Sequence, residues 1–104
     1  MYKIGFYVPD THVELVKQAM FAAGAGRIGK YDSCCWQTPG QGQFRALDGS
    51  QPFVGQQGVV ERVPELRVEM VCEGSVLKPT IVALRATHPY EELAFDVVKL
   101  ESVD

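Results

Sequence analysis

The sequence has little that would draw it to nucleic acid or to a membrane. Its 13 acidic residues outnumber its 10 lysines and arginines, and the formal net charge is −3. No global positive field is available to attract phosphate backbones or anionic lipid. The longest apolar stretches, such as residues 80–86, are far shorter than the ~20 residues of a membrane span, and the amino terminus lacks a signal-peptide pattern. We expect a soluble, cytoplasmic protein that binds neither nucleic acid nor membrane.

Cysteine is also scarce, with only Cys34, Cys35 and Cys72. An odd number without C-x-x-C spacing fits neither a disulfide framework nor a zinc knuckle. Cys34 and Cys35 are adjacent, so in a strand they point to opposite faces and do not easily share one metal. We expect reduced thiols.

The common catalytic motifs are missing as well. There is no G-x-S-x-G or H-E-x-x-H motif and no Cys/His/Asn set, so an independent hydrolase has no evident nucleophile. The segment 24–30 fits G-x-G-x-x-G and most of G-x-x-x-x-G-K, but both need a strand before and a helix after. Here a helix precedes, a strand follows, and Tyr31 replaces the Ser or Thr that contacts magnesium. We interpret the glycines as helix closure and turning, with Arg27 and Lys30 as a candidate anion contact.

Hydrophobic residues make up 46% of the 104 positions, which suits a single domain over 1–104. In the first half, alternation predicts a strand over 2–8, and a capping box at 11–14 predicts a helix that Gly24 closes. Extended segments at 31–38 and 43–47 flank a turn signal at 39–42 and predict a hairpin. The long loop 48–58, rich in glycine, is the expected functional surface.

In the second half, alternation predicts a strand over 59–73, with Pro64 breaking or bulging its front part. Gly74 and Ser75 begin a second helix that ends near Thr87, with Pro79 tolerated near the first turn, and 93–100 forms the last strand. The order is βαββαβ, a ferredoxin-like α+β fold. Both helices fall on one face of an antiparallel sheet, and self-association would cover the other face.

Residues 88–92 gather an imidazole, a phenol and two carboxylates in the motif His-Pro-Tyr-Glu-Glu. Such groups suit a divalent metal site or a general acid–base pair. Adjacent residues in extended structure diverge, so only one of Glu91 and Glu92 can point with His88, and a metal would need ligands from elsewhere. We favour a solvated or interface role for this motif over a metal site, and we expect His12 to face water.

A set of motifs gives the sequence a familiar pattern. They are the segments 24–34, 42–44, 49–52 and 88–92 with Gly55, Gly58, Glu61, Glu65, Arg67 and Glu69. Together they resemble the inserted middle domain of the YqfO-type, dinuclear-metal-centre hexameric proteins, the Nif-three-like family also labelled GTP cyclohydrolase type-two homologues. The resemblance runs from about residue 2 to residue 100, here as a stand-alone chain.

This resemblance implies a fold similar to PII and CutA-like proteins, which form trimers by packing their sheets together. In the full-length family the two metals are held by flanking domains, so their chemistry does not transfer to this chain. The expected function is a non-catalytic homotrimeric module that binds a small ligand, an ion or a partner protein. The ligand-binding candidates are Arg27, Lys30, Tyr31, Cys34, Phe44, Glu69 and Tyr90. The alternative is a metal-binding protein or metal-dependent hydrolase that uses His88 and Glu91, with Cys34 or His12 as further ligands.

Overall fold

The computed structural model describes residues 1–103, in which four strands and two helices follow one another in the predicted order βαββαβ. The elements are β1 Tyr2–Pro9, α1 Val13–Ala22, β2 Trp36–Arg45, β3 Val60–Cys72, α2 Gly74–Thr87 and β4 Phe95–Lys99. Neighbouring strands are antiparallel in the order β2-β3-β1-β4. The predicted ferredoxin-like α+β architecture is confirmed.

Both helices cover the same face of the sheet. Side chains of a strand alternate between its two faces, and in β1 the residues Ile4, Phe6 and Val8 point to the helices and are fully buried. The rest of this core comprises Val68, Met70 and Cys72 from β3, Val13, Val16 and Met20 from α1, Ala25 and Leu84. Each large apolar side chain buried in this way contributes about 1.5–3 kcal/mol to folding. Within residues 1–103, neither helix is long and apolar enough to cross a membrane.

Strands β2 and β3 continue beyond the end of β1. The last pair of β1 joins Pro9 to Glu65, whereas β2 and β3 stay paired as far as Arg45 and Val60. Residues 41–45 and 60–64 thus form a two-stranded arm, and the molecule is 50 Å along its longest axis. The predicted long loop joins the two strands of the arm and is closed by a 2.7 Å hydrogen bond from Gly58 N–H to Ala46 O.

The predicted turn at 39–42 is wrong, because these residues lie inside the continuous strand β2. An edge strand tolerates Pro39, whose missing N–H is not needed by a further neighbour. Gly42 provides space, since a Cβ there would overlap the carboxylate of Glu65. The predicted break at Pro64 is also wrong, because Pro64 pairs with Gln41 in an uninterrupted β3.

Several predicted element ends also differ from the structure. No side chain caps α1, and the Thr11 hydroxyl instead lies 2.8 Å from His12 Nδ1, so the capping box is wrong. Pro79 lies inside α2, beyond its first turn. The last strand is shorter than predicted. Gly24 does close α1, with a positive φ of 116° that glycine adopts readily.

Candidate functional site

A cleft of about 410 Å³ lies on the uncovered face of the sheet, beside the arm. Three segments form it: the arm itself, the loop 46–54 and residues 90–94 before β4. Tyr7 of β1 adds part of the floor. The long loop and the segment before the last strand therefore converge at the cleft.

Tyr90 and Glu65 form the main polar contact of the cleft. The Tyr90 hydroxyl donates to Glu65 Oε2 at 3.2 Å. Gly42 makes this contact feasible because it leaves room for the carboxylate. Burial, together with the nearby Glu65 carboxylate, raises the pKa of Tyr90 to about 12. The phenol is therefore a neutral hydrogen-bond donor at physiological pH.

His88 is buried behind the cleft and anchors the segment that follows it. The Tyr90 N–H donates to His88 Nδ1 at 3.1 Å, so Nδ1 carries no proton. The other nitrogen, Nε2, then carries the proton and donates to Tyr7 O at 2.7 Å. Burial lowers the pKa of His88, because desolvation of the charged imidazolium outweighs the bond to the Tyr7 carbonyl. The neutral imidazole thus ties residues 88–90 to β1.

The loop over the cleft is held by a few contacts. The Phe53 ring lies between the ring of His12, at 5.5 Å and nearly perpendicular, and that of Tyr90, at 6.3 Å. The Gln51 N–H donates to Glu91 Oε2 at 3.0 Å. These contacts hold the loop segment that borders one side of the cleft.

The metal hypothesis gains no support from this geometry. Among residues 1–103, no group of three or more His, Cys, Asp and Glu side chains lies close enough to hold a metal ion. Both nitrogens of His88 are engaged by backbone groups, and Glu91 accepts the bond from the loop. A metal at His88 would have to displace one of these bonds. Binding of a divalent metal by His88 and Glu91 stays a prediction.

A second group of predicted residues lies elsewhere, on the turn after α1. Arg27, Lys30 and Tyr31 border a shallow polar hollow together with Gly29 and Asp32. The β-bridge between residues 28 and 31 closes the turn, and no helix follows it before β2. The order of helix, turn and strand around these glycines is therefore the one that the sequence predicts.

Cys34 and Glu69 occupy further separate positions. Cys34 lies at the base of the turn, where its N–H donates to Gly26 O at 2.8 Å. Glu69 lies in the middle of the uncovered sheet face and pairs with Arg67 at 3.2 Å. Of the predicted ligand-binding residues, only Phe44 and Tyr90 line the cleft, together with Glu91 from the metal alternative.

Arg67 is the centre of an ion network that the sequence analysis did not assign to any site. Its guanidinium also contacts Asp96 at 3.2 Å and lies 5.0 Å from the centre of the Tyr7 ring. Gly5 accommodates it, since a Cβ at Gly5 would overlap the guanidinium. Burial acts to lower the pKa of Arg67, but hydrogen bonds to Asp96 and Glu69 more than offset this and raise it. The period-two spacing of charged residues in β3 was the signal for this polar face.

Glu65 and Phe53 are among the cleft residues that the sequence did not reveal. Glu65 belongs to the same alternating series in β3 as Arg67 and Glu69, which placed it on the uncovered face but gave no partner. Phe53 is the single aromatic residue of the loop, and its separation from Tyr90 along the chain gives no sign of their contact. Only the folded loop brings Phe53 and Tyr90 together.

The fold and the uncovered sheet face define a class, that of the CutA-like α+β domains. The structure of CutA1 from Pyrococcus horikoshii matches with a TM-score of 0.71 over 100% of this chain and 87% of that chain, at 13% sequence identity. An identity this low establishes the fold alone. No family model matches the chain.

Sequence relatives make the assignment more specific. The GTP cyclohydrolase 1 type 2 homolog of Mycobacterium tuberculosis is 50% identical over 94 residues, which cover 90% of this chain and 25% of that protein. A Bacillus cereus protein related to NIF3 matches with a TM-score of 0.82 and 39% identity over 97% of this chain and 26% of that chain. The chain spans about a quarter of the length of these relatives. It is homologous to one domain-sized segment of the NIF3-related proteins, so the predicted resemblance is confirmed.

Proposed function

We propose that this chain is a non-catalytic binding module that forms a trimer in the cytoplasm and takes a small ligand, an ion or a protein segment in the cleft. The observation that carries the proposal is the cleft of about 410 Å³ on the sheet face that the helices leave uncovered. Ligand sites in proteins commonly have volumes of roughly 300–1,000 Å³, with apolar walls and a few polar groups. The cleft has a volume in this range, mostly apolar lining residues and a few polar groups such as those of Tyr90 and Glu65.

The polar groups around the cleft favour binding over catalysis. A phenol with a pKa of about 12 is a poor general base at neutral pH. His88 uses one nitrogen to donate and the other to accept, so it cannot take up a proton without breaking the bond from Tyr90 N–H. These groups hold the shape of the cleft.

The name of the relatives refers to GTP chemistry, which the cleft of this chain does not favour. Its border carries the carboxylates of Glu65, Glu91 and Glu92 and a single guanidinium, that of Arg45. Phosphate groups are bound by clustered basic side chains or by helix amino termini. An acidic border repels a nucleotide, so we place any such activity in the remaining three quarters of the relatives' length.

The trimer is supported by the composition of the uncovered face. Around the ion network of Arg67, this face and its edge expose Trp36 by 59% and Val98 by 47%. Exposed apolar groups of this size next to charges are typical of a surface that packs against another chain. A three-chain assembly would bury them.

Native mass spectrometry of untagged protein purified without chelator tests both parts of the proposal. We expect a three-chain mass, with additional bound mass where the cleft holds a small ligand or an ion and none where it holds a segment of a neighbouring chain. Ala94→Trp fills the cleft and should remove the bound mass or, where a chain segment occupies the cleft, weaken the assembly. Ala86→Trp on the exposed side of α2 is the matched control and should leave both unchanged. A monomer at every concentration would contradict the assembly, and equal behaviour of both variants would contradict the cleft as the site.

A further inference from the structure

We propose that the cleft of one chain receives the turn formed by residues 27–31 of a second copy. Two surfaces that are separate within one chain would then form one site between chains. This inference rests on the proposed function, because it needs the oligomer, and it goes further by naming the occupant.

The negative charges at the cleft favour the binding of a positively charged segment. Glu65, Glu91 and Glu92 line it against the single guanidinium of Arg45. Glu65 and Glu91 have neutral donors as partners, the Tyr90 hydroxyl and the Gln51 N–H. Their negative charges are therefore not cancelled by these contacts. Complementary charge across an interface fixes its register and speeds encounter.

The apolar walls of the cleft favour a segment that also carries apolar side chains. The rings of Tyr7, Phe44, Phe53 and Tyr90 border it. Leu47 and Phe53 on the loop side are 63% and 51% exposed. Aromatic rings bind both apolar groups and cations, the latter through the negative face of the ring. A segment that combines cationic side chains with an aromatic or branched side chain fits the cleft best.

The turn after α1 has this combination. Arg27 and Lys30 supply two cations beside Ile28 and Tyr31, which are 54% and 76% exposed. Tyrosine and arginine are enriched among the residues that dominate binding energy at interfaces. Asp32 is the one acidic residue bordering the hollow of the turn, so the balance of charge there is positive.

The turn is also rigid, which lowers the entropy lost on docking. Ile28 and Tyr31 exchange two backbone hydrogen bonds of 2.9 and 3.0 Å. Gly29 supplies the positive φ of 58° that the turn requires. At its base, Gly26 donates to Val71 O at 2.8 Å, which fixes the turn to the sheet.

A chain cannot place this turn in its own cleft. The turn is anchored at Val71, whereas the cleft begins at Glu65 on the same strand, six residues and roughly 20 Å away. The two surfaces share no residue. Docking therefore joins different patches on neighbouring chains, and contacts of this heterologous kind can close into a ring, as the proposed trimer requires.

Charge reversal in the full chain tests the proposal by sedimentation. Lys30→Glu should raise the dissociation constant of the oligomer about tenfold or more, since the turn would then meet like charges. Lys78→Glu, the same change at an exposed position of α2, should leave it within about twofold. Adding Glu92→Lys to Lys30→Glu should restore most of the affinity. Equal behaviour of Lys30→Glu and Lys78→Glu would overturn the proposal.

Photo-cross-linking locates the contact directly. With p-benzoylphenylalanine in place of Tyr31 and a mixture of light and heavy isotope-labelled chains, cross-links should join residue 31 to residues 44–54 or 90–94 of a differently labelled chain. Cross-links confined to other segments would overturn the docking. If the wild-type chain is oligomeric while the turn is uninvolved, only this inference fails; a strictly monomeric wild type defeats the proposed function as well.

Discussion

The two faces of strand β1 differ completely in character. Ile4, Phe6 and Val8 face the helices and are fully buried. The residues between them make the other face, where Gly5 lies beneath the Arg67 guanidinium and Tyr7 contacts the same group and lines the cleft. The covered face is completed within one chain, whereas the uncovered face carries charges, exposed rings and the cleft. The apolar core and the candidate cleft thus lie on opposite sides of one strand.

Two glycines contribute to this difference between the faces of the sheet. Gly5 and Gly42 have no positive φ, yet an added Cβ at either position would overlap a charged side chain, that of Arg67 or Glu65. Both lie on the uncovered face, where they let a long polar side chain lie flat across the sheet. On this face, the lack of a side chain at Gly5 and Gly42 leaves space for the side chains of Arg67 and Glu65.

The largest predicted effect contrasts one aromatic residue from each face. Phe6→Ala leaves a cavity in the helix-covered core and should lower the free energy of unfolding by about 3–5 kcal/mol. Trp36→Ala removes a ring that is 59% exposed and should change it by less than about 1 kcal/mol. Urea denaturation of both variants at low protein concentration provides the comparison. A similar loss in both would show that the uncovered face contributes to the stability of the single chain.

A smaller effect is expected from Gly5→Ala. The added methyl group would overlap the Arg67 guanidinium and lie 2.8 Å from Asp96 Oδ1, so the network must move. We expect a loss of about 1–2 kcal/mol by the same denaturation measurement. The control is Gly5→Ala in an Arg67→Ala background, where the cost should largely vanish. An unchanged cost would mean that the backbone at Gly5, and not the guanidinium, requires glycine.

Much of the fold was predictable from the sequence because local patterns determined it. The period-two alternation of β1 and β3 and the helical spacing of α1 each specify an element and its buried face. The order of these elements then implies the sheet topology. The errors came where a residue with a strong local preference for turns or breaks lies inside a regular element, as Gly42 and Pro64 do in strands and Pro79 does in α2.

The candidate site was predictable only in part. The long loop was the expected functional surface and does border the cleft, and the predicted residues Phe44 and Tyr90 line it. The side chains that contact them could not be predicted from the sequence. Glu65 is 25 residues from Tyr90 in the chain, and no spacing rule connects a strand residue with a loop residue across a sheet edge. The motif residues Tyr31 and Glu69 share a family pattern with Tyr90 without sharing its location.

The smallest predicted effect concerns the pKa of the Tyr90 phenol in the cleft. Tyr90 should titrate at about pH 12, as followed by phenolate absorbance with Tyr90→Phe to assign the signal. Because the pKa is raised in the folded state, its contribution to stability is complete below about pH 10 and is lost as pH rises towards 12. Titration of Tyr90 at its ordinary pKa would contradict the burial.

Glu65→Gln separates the two causes of this shift. Glutamine keeps an oxygen that accepts from the phenol but removes the negative charge, so the pKa of Tyr90 should fall. It should remain above its ordinary value because burial is the larger cause. Glu61→Gln, another carboxylate of β3, is the matched control and should leave the titration unchanged. If Glu65→Gln also leaves it unchanged, the charge of Glu65 does not act on Tyr90, and the acidic character assigned to this end of the cleft would be weaker than its geometry indicates.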